Sequence, residues 1–167
     1  PPGSIHRRRE ALAVSMRILL ISANTEPFPE PIFPIGAVYV SNALQEEGAR
    51  VRILDMRLNN SIPHLRMEVE KFQPDRIGIS LRNVDNAAYP ATRFYLPAYA
   101  SLVKTLRLCS HAPVVLGGSA FSLFPEEIFV YLEADAGVKG DGEMSPPIFR
   151  DPGQRKILSP DPPGLGG

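Results

Sequence analysis

Four places in the chain combine residue types that could hold a ligand. Gly117-Gly118 follows the apolar run Val114-Val115-Leu116 and removes two side chains where a ligand could press against backbone. A turn that needs positive φ would use the same dipeptide. Arg82-Asn83-Val84-Asp85-Asn86 sets four hydrogen-bonding side chains in five residues, suited to amide partners or to turn and capping chemistry. Gly140-Asp141-Gly142-Glu143 could form a backbone nest for an anion or an amide, or close a surface turn. Ser80, near the end of Arg76-Ile-Gly-Ile-Ser-Leu81, offers one buried hydrogen bond to a ligand or to nearby backbone.

The elements that must position these residues alternate. Met16 to Ser22 is a short, nearly continuous apolar run, the mark of a strand buried on both faces. Pro34 opens a helical pattern to about Glu47, with Ala37, Val40 and Leu44 on one face and Gly48 as the stop. Val51–Leu54 predicts the second strand, ending at Asp55, and about Pro63 to Phe72 a weaker helix that Pro74 blocks. Arg76–Leu81 is the third strand. Leu96, Tyr99, Val103 and Leu106 stripe a third helix. Val114–Leu116 is the fourth strand, Pro125-Glu126-Glu127 starts a fourth helix, and Ala136–Lys139 forms a fifth strand.

Five such strands alternating with helices predict an α/β fold: a doubly wound, five-stranded parallel sheet of the Rossmann-like or flavodoxin-like kind. Residues 16–143 form its single domain. Residues 1–15, ahead of Met16, are expected to be an upstream extension without order. Residues 144–167 hold six Pro and four Gly among twenty-four residues, and are expected to be a linker or tail. In this class a ligand sits beyond the carboxyl ends of the strands, so the four places above share one edge.

Composition narrows the chemistry. The chain has 167 residues, with Lys+Arg 18 against Asp+Glu 18, which argues against a non-specific nucleic-acid or anionic-membrane binder. One cysteine, Cys109, excludes an internal disulfide and any cysteine-ligated cluster built within this sequence. No apolar run reaches the length of a membrane helix, and a cytoplasmic protein is the expectation. The loop after the first strand, Ala23-Asn24-Thr25-Glu26, has no glycine before Gly36, so the dinucleotide fingerprint fails. A P-loop, a flavodoxin phosphate loop and a phosphoacceptor site fail likewise.

Taken in order, the pieces resemble the cobalamin-binding domain at the N-terminus of cobalamin-dependent radical S-adenosylmethionine enzymes. The matching stretches are Arg17-Ile-Leu-Leu-Ile-Ser22, Pro34-Ile-Gly36, Gly78-Ile-Ser-Leu-Arg-Asn-Val-Asp-Asn86 and Phe94-Tyr-Leu-Pro97. They continue through Ala112-Pro-Val-Val-Leu-Gly-Gly-Ser119, Phe121-Ser122, Pro125-Glu126-Glu127 and Gly137-Val-Lys-Gly-Asp-Gly-Glu143. The resemblance implies a corrin held against the carboxyl edge, with the nucleotide tail of the cofactor between sheet and helices. It implies that Ser80 hydrogen-bonds the buried benzimidazole, that Gly117 and Gly118 leave room for the tail, and that the loop of Arg82, Asn83, Asp85 and Asn86 borders the corrin amides. Gly140, Gly142 and Glu143 would lie at the same edge.

Mutase-type cobalamin domains ligate cobalt through the His of D-x-H-x-x-G. Set against that element, Asp55-Met-Arg57-Leu-Asn-Asn60 has Arg57 at the His position and Asn60 at the Gly. A protonated guanidinium has no free lone pair for cobalt. The radical S-adenosylmethionine relatives commonly lack that His, so the departure favours their branch, and His64 is expected to be an ordinary surface residue. In such enzymes a following barrel domain with C-x-x-x-C-x-x-C holds a 4Fe-4S cluster and S-adenosylmethionine; Cys109 alone cannot supply it. The chain is therefore expected to be an isolated or truncated cobalamin module of a methyltransferase-like parent. Two other readings stay open: a cofactor-free flavodoxin-like interaction or sensor domain, and the nucleotide-sugar-binding half of a transferase.

Overall fold

The computed structural model describes residues 15–25, 34–58, 61–86, 92–140, 142, 146–153 and 155–159. Six strands form one sheet: β1 (Arg17–Ser22), β2 (Arg50–Asp55), β3 (Arg76–Ser80), β4 (Val114–Gly117), β5 (Ala136–Val138) and β6 (Lys156–Leu158). Their order is β2-β1-β3-β4-β5-β6, and every pairing is parallel. The helices are α1 (Ile35–Glu46), α2 (Ile62–Phe72), α3 (Leu96–Cys109), α4 (Ser119–Leu123), α5 (Pro125–Tyr131) and α6 (Pro146–Arg150). Among the described residues, no helix is long and apolar enough to cross a membrane.

Strand composition explains the layering. β1 buries five consecutive residues, Ile18 to Ser22, because side chains alternate between two faces and helices cover both. Leu19, Ile21, Ile77, Ile79 and Leu116 face α2, α3, α4 and α5, where Leu65, Val69, Tyr99, Val103, Phe121 and Ile128 complete one core. Ile18, Leu20, Val115 and Val138 face the opposite side, where Leu44 of α1 and Ile148 and Phe149 of α6 form a smaller one. α2 starts at Ser61, whose hydroxyl accepts from the His64 N–H at 3.3 Å, and it stops at Gln73, in the left-handed region ahead of Pro74.

The doubly wound parallel sheet agrees with expectation; its strand number does not. β6 and α6 come from the stretch expected to be a tail. The density of proline there suggested a segment unable to pack, yet Pro146-Pro147 occupy a first helical turn, which tolerates them. The helix then buries Ile148 and Phe149, and β6 pairs with β5. A helix of five residues and a strand of three are too short to leave a readable period. The expected extension lies outside the described residues except for Ser15, as do residues 160–167.

Carboxylates fasten the amino edge of the sheet. Asp75, just before β3, accepts from the Arg17 N–H at 2.7 Å and from its guanidinium at 3.3 Å; Asp135, before β5, accepts from the Val114 N–H at 2.7 Å. Each caps the first free donor of a neighbouring strand. Burial would raise the Asp75 pKa, but the Arg17 hydrogen bonds and nearby Arg17 and Arg76 charges outweigh it and hold it below the ordinary 3.8. A lowered folded-state pKa gives stability that is complete above about pH 4 and is lost as pH falls through the folded value. Asp75→Asn should therefore unfold at lower urea near neutrality and lose less further stability on acidification than the parent. An acid slope identical to the parent's would contradict this.

Candidate functional site

Parallel pairing of β1 with both β2 and β3 sends the chain to opposite faces on either side of β1, which opens a crevice at the carboxyl ends of β1 and β3. A cavity of about 370 Å³ lies there, on the α1 side of the sheet. Two register rows make its floor. Leu20, Gly78 and Val115 lie side by side, and one step nearer the carboxyl edge come Ser80 and Gly117. Gly36, Ala37 and Val40 of α1 form one wall, with Phe149 and Val138 elsewhere around it. Gly118, Ser119, Ser122, Gly140 and Gly142 make the rim.

The glycines act differently. A Cβ at Gly117 would meet only the Val138 carbonyl oxygen, at 3.8 Å, so the missing side chain there is open cavity. Gly118 has φ +95°, and a Cβ there would come within 2.5 Å of the Leu81 oxygen. Its glycine meets a backbone need, whereas the open space lies beside Gly117. A Cβ at Gly36 would have nothing within 4 Å, and Gly78 yields its space to Leu20 and the Phe149 ring. The Ser80 hydroxyl lines the cavity, and it has no hydrogen-bond partner among the described residues.

Other expected site residues stand apart from the cavity. The Arg82–Asn86 loop lies at the same edge, on the α3 side. Tyr99 donates its hydroxyl to the Asn83 carbonyl at 2.8 Å, and Ser119 donates to the Arg82 carbonyl at 2.9 Å. Burial pushes the Tyr99 phenol up to about 12, against the opposing effect of Asn83, so it stays a donor. Asn86 accepts the Arg93 N–H at 2.8 Å, which is turn chemistry. Arg82, Asn83, Asp85 and Asn86 are each half-buried, and none lines the cavity.

Asp55 and Arg57 are bound to each other. The guanidinium grips both carboxylate oxygens, at 3.1 Å through Nε and 2.5 Å through Nη2, with each side chain only 11% exposed. Burial would raise the Asp55 pKa; the Arg57 hydrogen bonds and charge outweigh it and hold it below the usual range. Neither residue lines the cavity. Gly140 reaches the rim at φ +85°, but its N–H already donates to Ser122 Oγ at 2.9 Å, so it is not a free nest donor. Glu143 and Asn60 lie outside the described residues. Cys109 is half-buried and donates to the Thr105 carbonyl at 3.3 Å, with burial raising its pKa, as suits an unreactive thiol.

Several lining residues carry no sign of function when read singly. Ala37 and Val40 look like an ordinary core stripe, and Phe149 sits in the Pro-rich stretch. Gly78, inside a strand, is the one local signal of close approach. Among the described residues, no three His, Cys, Asp or Glu side chains are grouped to hold a metal ion.

A mainly apolar cavity at the switch point, with Ser80 and Gly117 on its floor, suits a mostly apolar ligand part with a polar contact at Ser80. The B12-binding domain family matches residues 21–148. This chain belongs to that family. Over 122 residues it is 30% identical to the tryptophan 2-C-methyltransferase of Streptomyces laurentii, covering 72% of this chain and 20% of that protein. The radical S-adenosylmethionine methyltransferase TsrM of Kitasatospora setae, with tryptophan and a S-adenosylmethionine analogue bound, superposes at TM-score 0.72 with 30% identity, covering 78% of this chain and 24% of its own. TsrM with cobalamin and a 4Fe-4S cluster bound gives 0.69 and 28% over the same shares. The radical enzyme OxsB with aqua-cobalamin shares the fold at 0.54 and 23% identity, over 74% of this chain and 16% of that one. The chain thus spans about a fifth to a quarter of the methyltransferases it matches.

Within this B12-binding domain the two adjacent glycines should separate in stability. Gly118→Ala should cost roughly 1–3 kcal/mol in urea unfolding, from positive φ and the contact with Leu81. Gly117→Ala, with open space beside it, should change stability by less than about 1 kcal/mol in either direction. Equal losses at both positions would refute the division of roles.

Proposed function

We propose that this chain holds cobalamin as the B12-binding module of a radical S-adenosylmethionine methyltransferase. The observation that carries the reading is the slot: space beside Gly117 and Gly36, apolar walls from α1 and Val138, and one unpartnered hydroxyl, Ser80, on the floor. Cobalamin, when bound, supplies a cobalt centre through which a methyl group can be passed. The nucleotide tail fits the slot, with Ser80 as hydrogen-bond partner to its buried base. The hydrogen-bonded loop of Arg82, Asn83, Asp85 and Asn86 would face the corrin amides across the carboxyl edge. Gly140 and Gly142 would bring backbone close to the rim.

Among the described residues no His lines the slot, and the Arg57 guanidinium, paired with Asp55 through Nε and Nη2, has no lone pair for cobalt, so this module would hold the corrinoid by its tail and edges without a His ligand to cobalt. The radical step, in this reading, belongs to a domain carrying a three-cysteine cluster motif, which Cys109 alone cannot provide. The module's task is orientation and retention.

Titration with hydroxocobalamin, followed by visible absorbance and by cobalt retained after dialysis, tests the reading. Saturable retention is expected. Gly117→Leu should weaken it by about tenfold or more, equivalent to ~1.4 kcal/mol of overpacking, while urea unfolding stays cooperative. His64→Ala should retain cobalamin like the parent. No spectral change and no retained cobalt in the parent chain would sink the proposal.

A further inference from the structure

A second cavity, of about 350 Å³, lies on the same face of the sheet nearer its amino edge. Its walls are mainly apolar, with Met16, Ile18, Leu44 and Ala49 among them. Phe149 lines both cavities, and among the described residues no other side chain does. β1 gives the geometry: Ile18 borders the lower space and Leu20, two residues on and facing the same way, borders the upper one. Gly78, in register with Leu20, has no side chain, and the Phe149 ring lies 3.0 Å from where its Cβ would be. The ring therefore fills the place beneath Ser80 and separates the two spaces.

The ring is held firmly. Phe149 is 5% exposed and its neighbour Ile148 is 1% exposed. Arg150 pairs with Glu47 of the turn after α1, and its carbonyl accepts from the Arg76 guanidinium at 3.2 Å. The ring is thus packed in place against the sheet face.

We propose that Phe149 sets the depth of the tail slot and so selects corrinoids by the size of the base that ends their nucleotide tail. The inference rests on the cobalamin reading above and deepens it. A tail that fits from Gly117 down to the ring is accepted. A base one fused ring longer meets the ring, although apolar space lies directly behind it. Removing the ring joins the two cavities and lets the longer base pass.

The test compares three probes on the full chain by absorbance titration: cobalamin, its analogue with naphthimidazole in place of dimethylbenzimidazole, and cobinamide, which has no nucleotide tail. The parent should prefer cobalamin to the naphthimidazole analogue. Phe149→Ala should shift that ratio toward the larger base by roughly tenfold, the scale on which hydrophobic pockets discriminate small size differences. Cobinamide affinity should stay the same. Phe149→Leu, which keeps most of the packing of α6, should shift the ratio the same way by less, and it serves if the alanine variant unfolds. An unchanged ratio in the folded variant overturns the proposal, as does an equal loss for all three probes, since neither would trace to the tail. A parent chain that binds none of the three would instead defeat the cobalamin reading itself.

Discussion

β1 is bonded in parallel to β2 on one side and β3 on the other, and the rest of the molecule follows from that double pairing. A right-handed crossover from β1 to β2 must put α1 on one face, and one from β2 to β3 must put α2 on the other. The two connections run over opposite faces of the sheet, so their chains part at the carboxyl ends of β1 and β3. A crevice is thus built by topology before any side chain is chosen. What the residues decide is whether that crevice is filled. Here it is left open by small side chains on a single face: Gly36 and Ala37 on the helix, Gly117 and Ser80 on the sheet.

The two faces of the sheet divide the labour. The α2–α5 side is densely filled, with Phe121, Leu65, Ile77 and Leu116 all but inaccessible, and it carries most of the hydrophobic stabilisation. The α1 side has a smaller core and two cavities. Apolar walls with empty space beside them forgo dispersion contacts, a loss that a ligand filling them restores. Binding to the native state alone would then also raise stability by mass action. The amino-edge caps at Asp75 and Asp135 hold the strand starts of β1 and β4 to their neighbours.

Much of this was legible in the chain itself. Nearly continuous apolar runs at 17–22 and 76–80 mark strands covered on both faces, and helical stripes between them point to parallel connections. Glycine at a strand end marked the site, since a missing side chain is meaningful wherever it is. Its reason was not legible: Gly117 and Gly118 look alike in sequence, and only φ and the distance to Leu81 distinguish empty space from backbone need. Arg82 to Asn86 show a different limit. Their polar density fits a ligand loop, yet Asn86 already serves a turn and Tyr99 pins the Asn83 carbonyl. Asp55 and Arg57, two apart, pair with each other through Nε and Nη2, and Arg57 Nη1 stays buried with no partner among the described residues. Polarity shows the capacity to bond, and only geometry shows where that capacity is already used.

Phe149 poses the opposite problem, for it comes from a stretch whose composition argues against order. Proline and glycine density measures what a segment cannot do alone. It says little about a segment that leans on an existing sheet edge. β5 offers an unpaired row of donors and acceptors, and three residues of β6 suffice to close it without a core of their own. Arg155 adds a hydrogen bond to the Ala134 carbonyl at 3.1 Å and lies over the Phe129 ring. β6 is paired to the edge, and α6 packs on the sheet face with Phe149 over Gly78. A short, weakly patterned segment thereby closes the inner end of a cavity whose other walls come from the most strongly patterned elements of the chain. Any change that frees β6 from β5 should be felt at the slot, although no residue of β6 lines it.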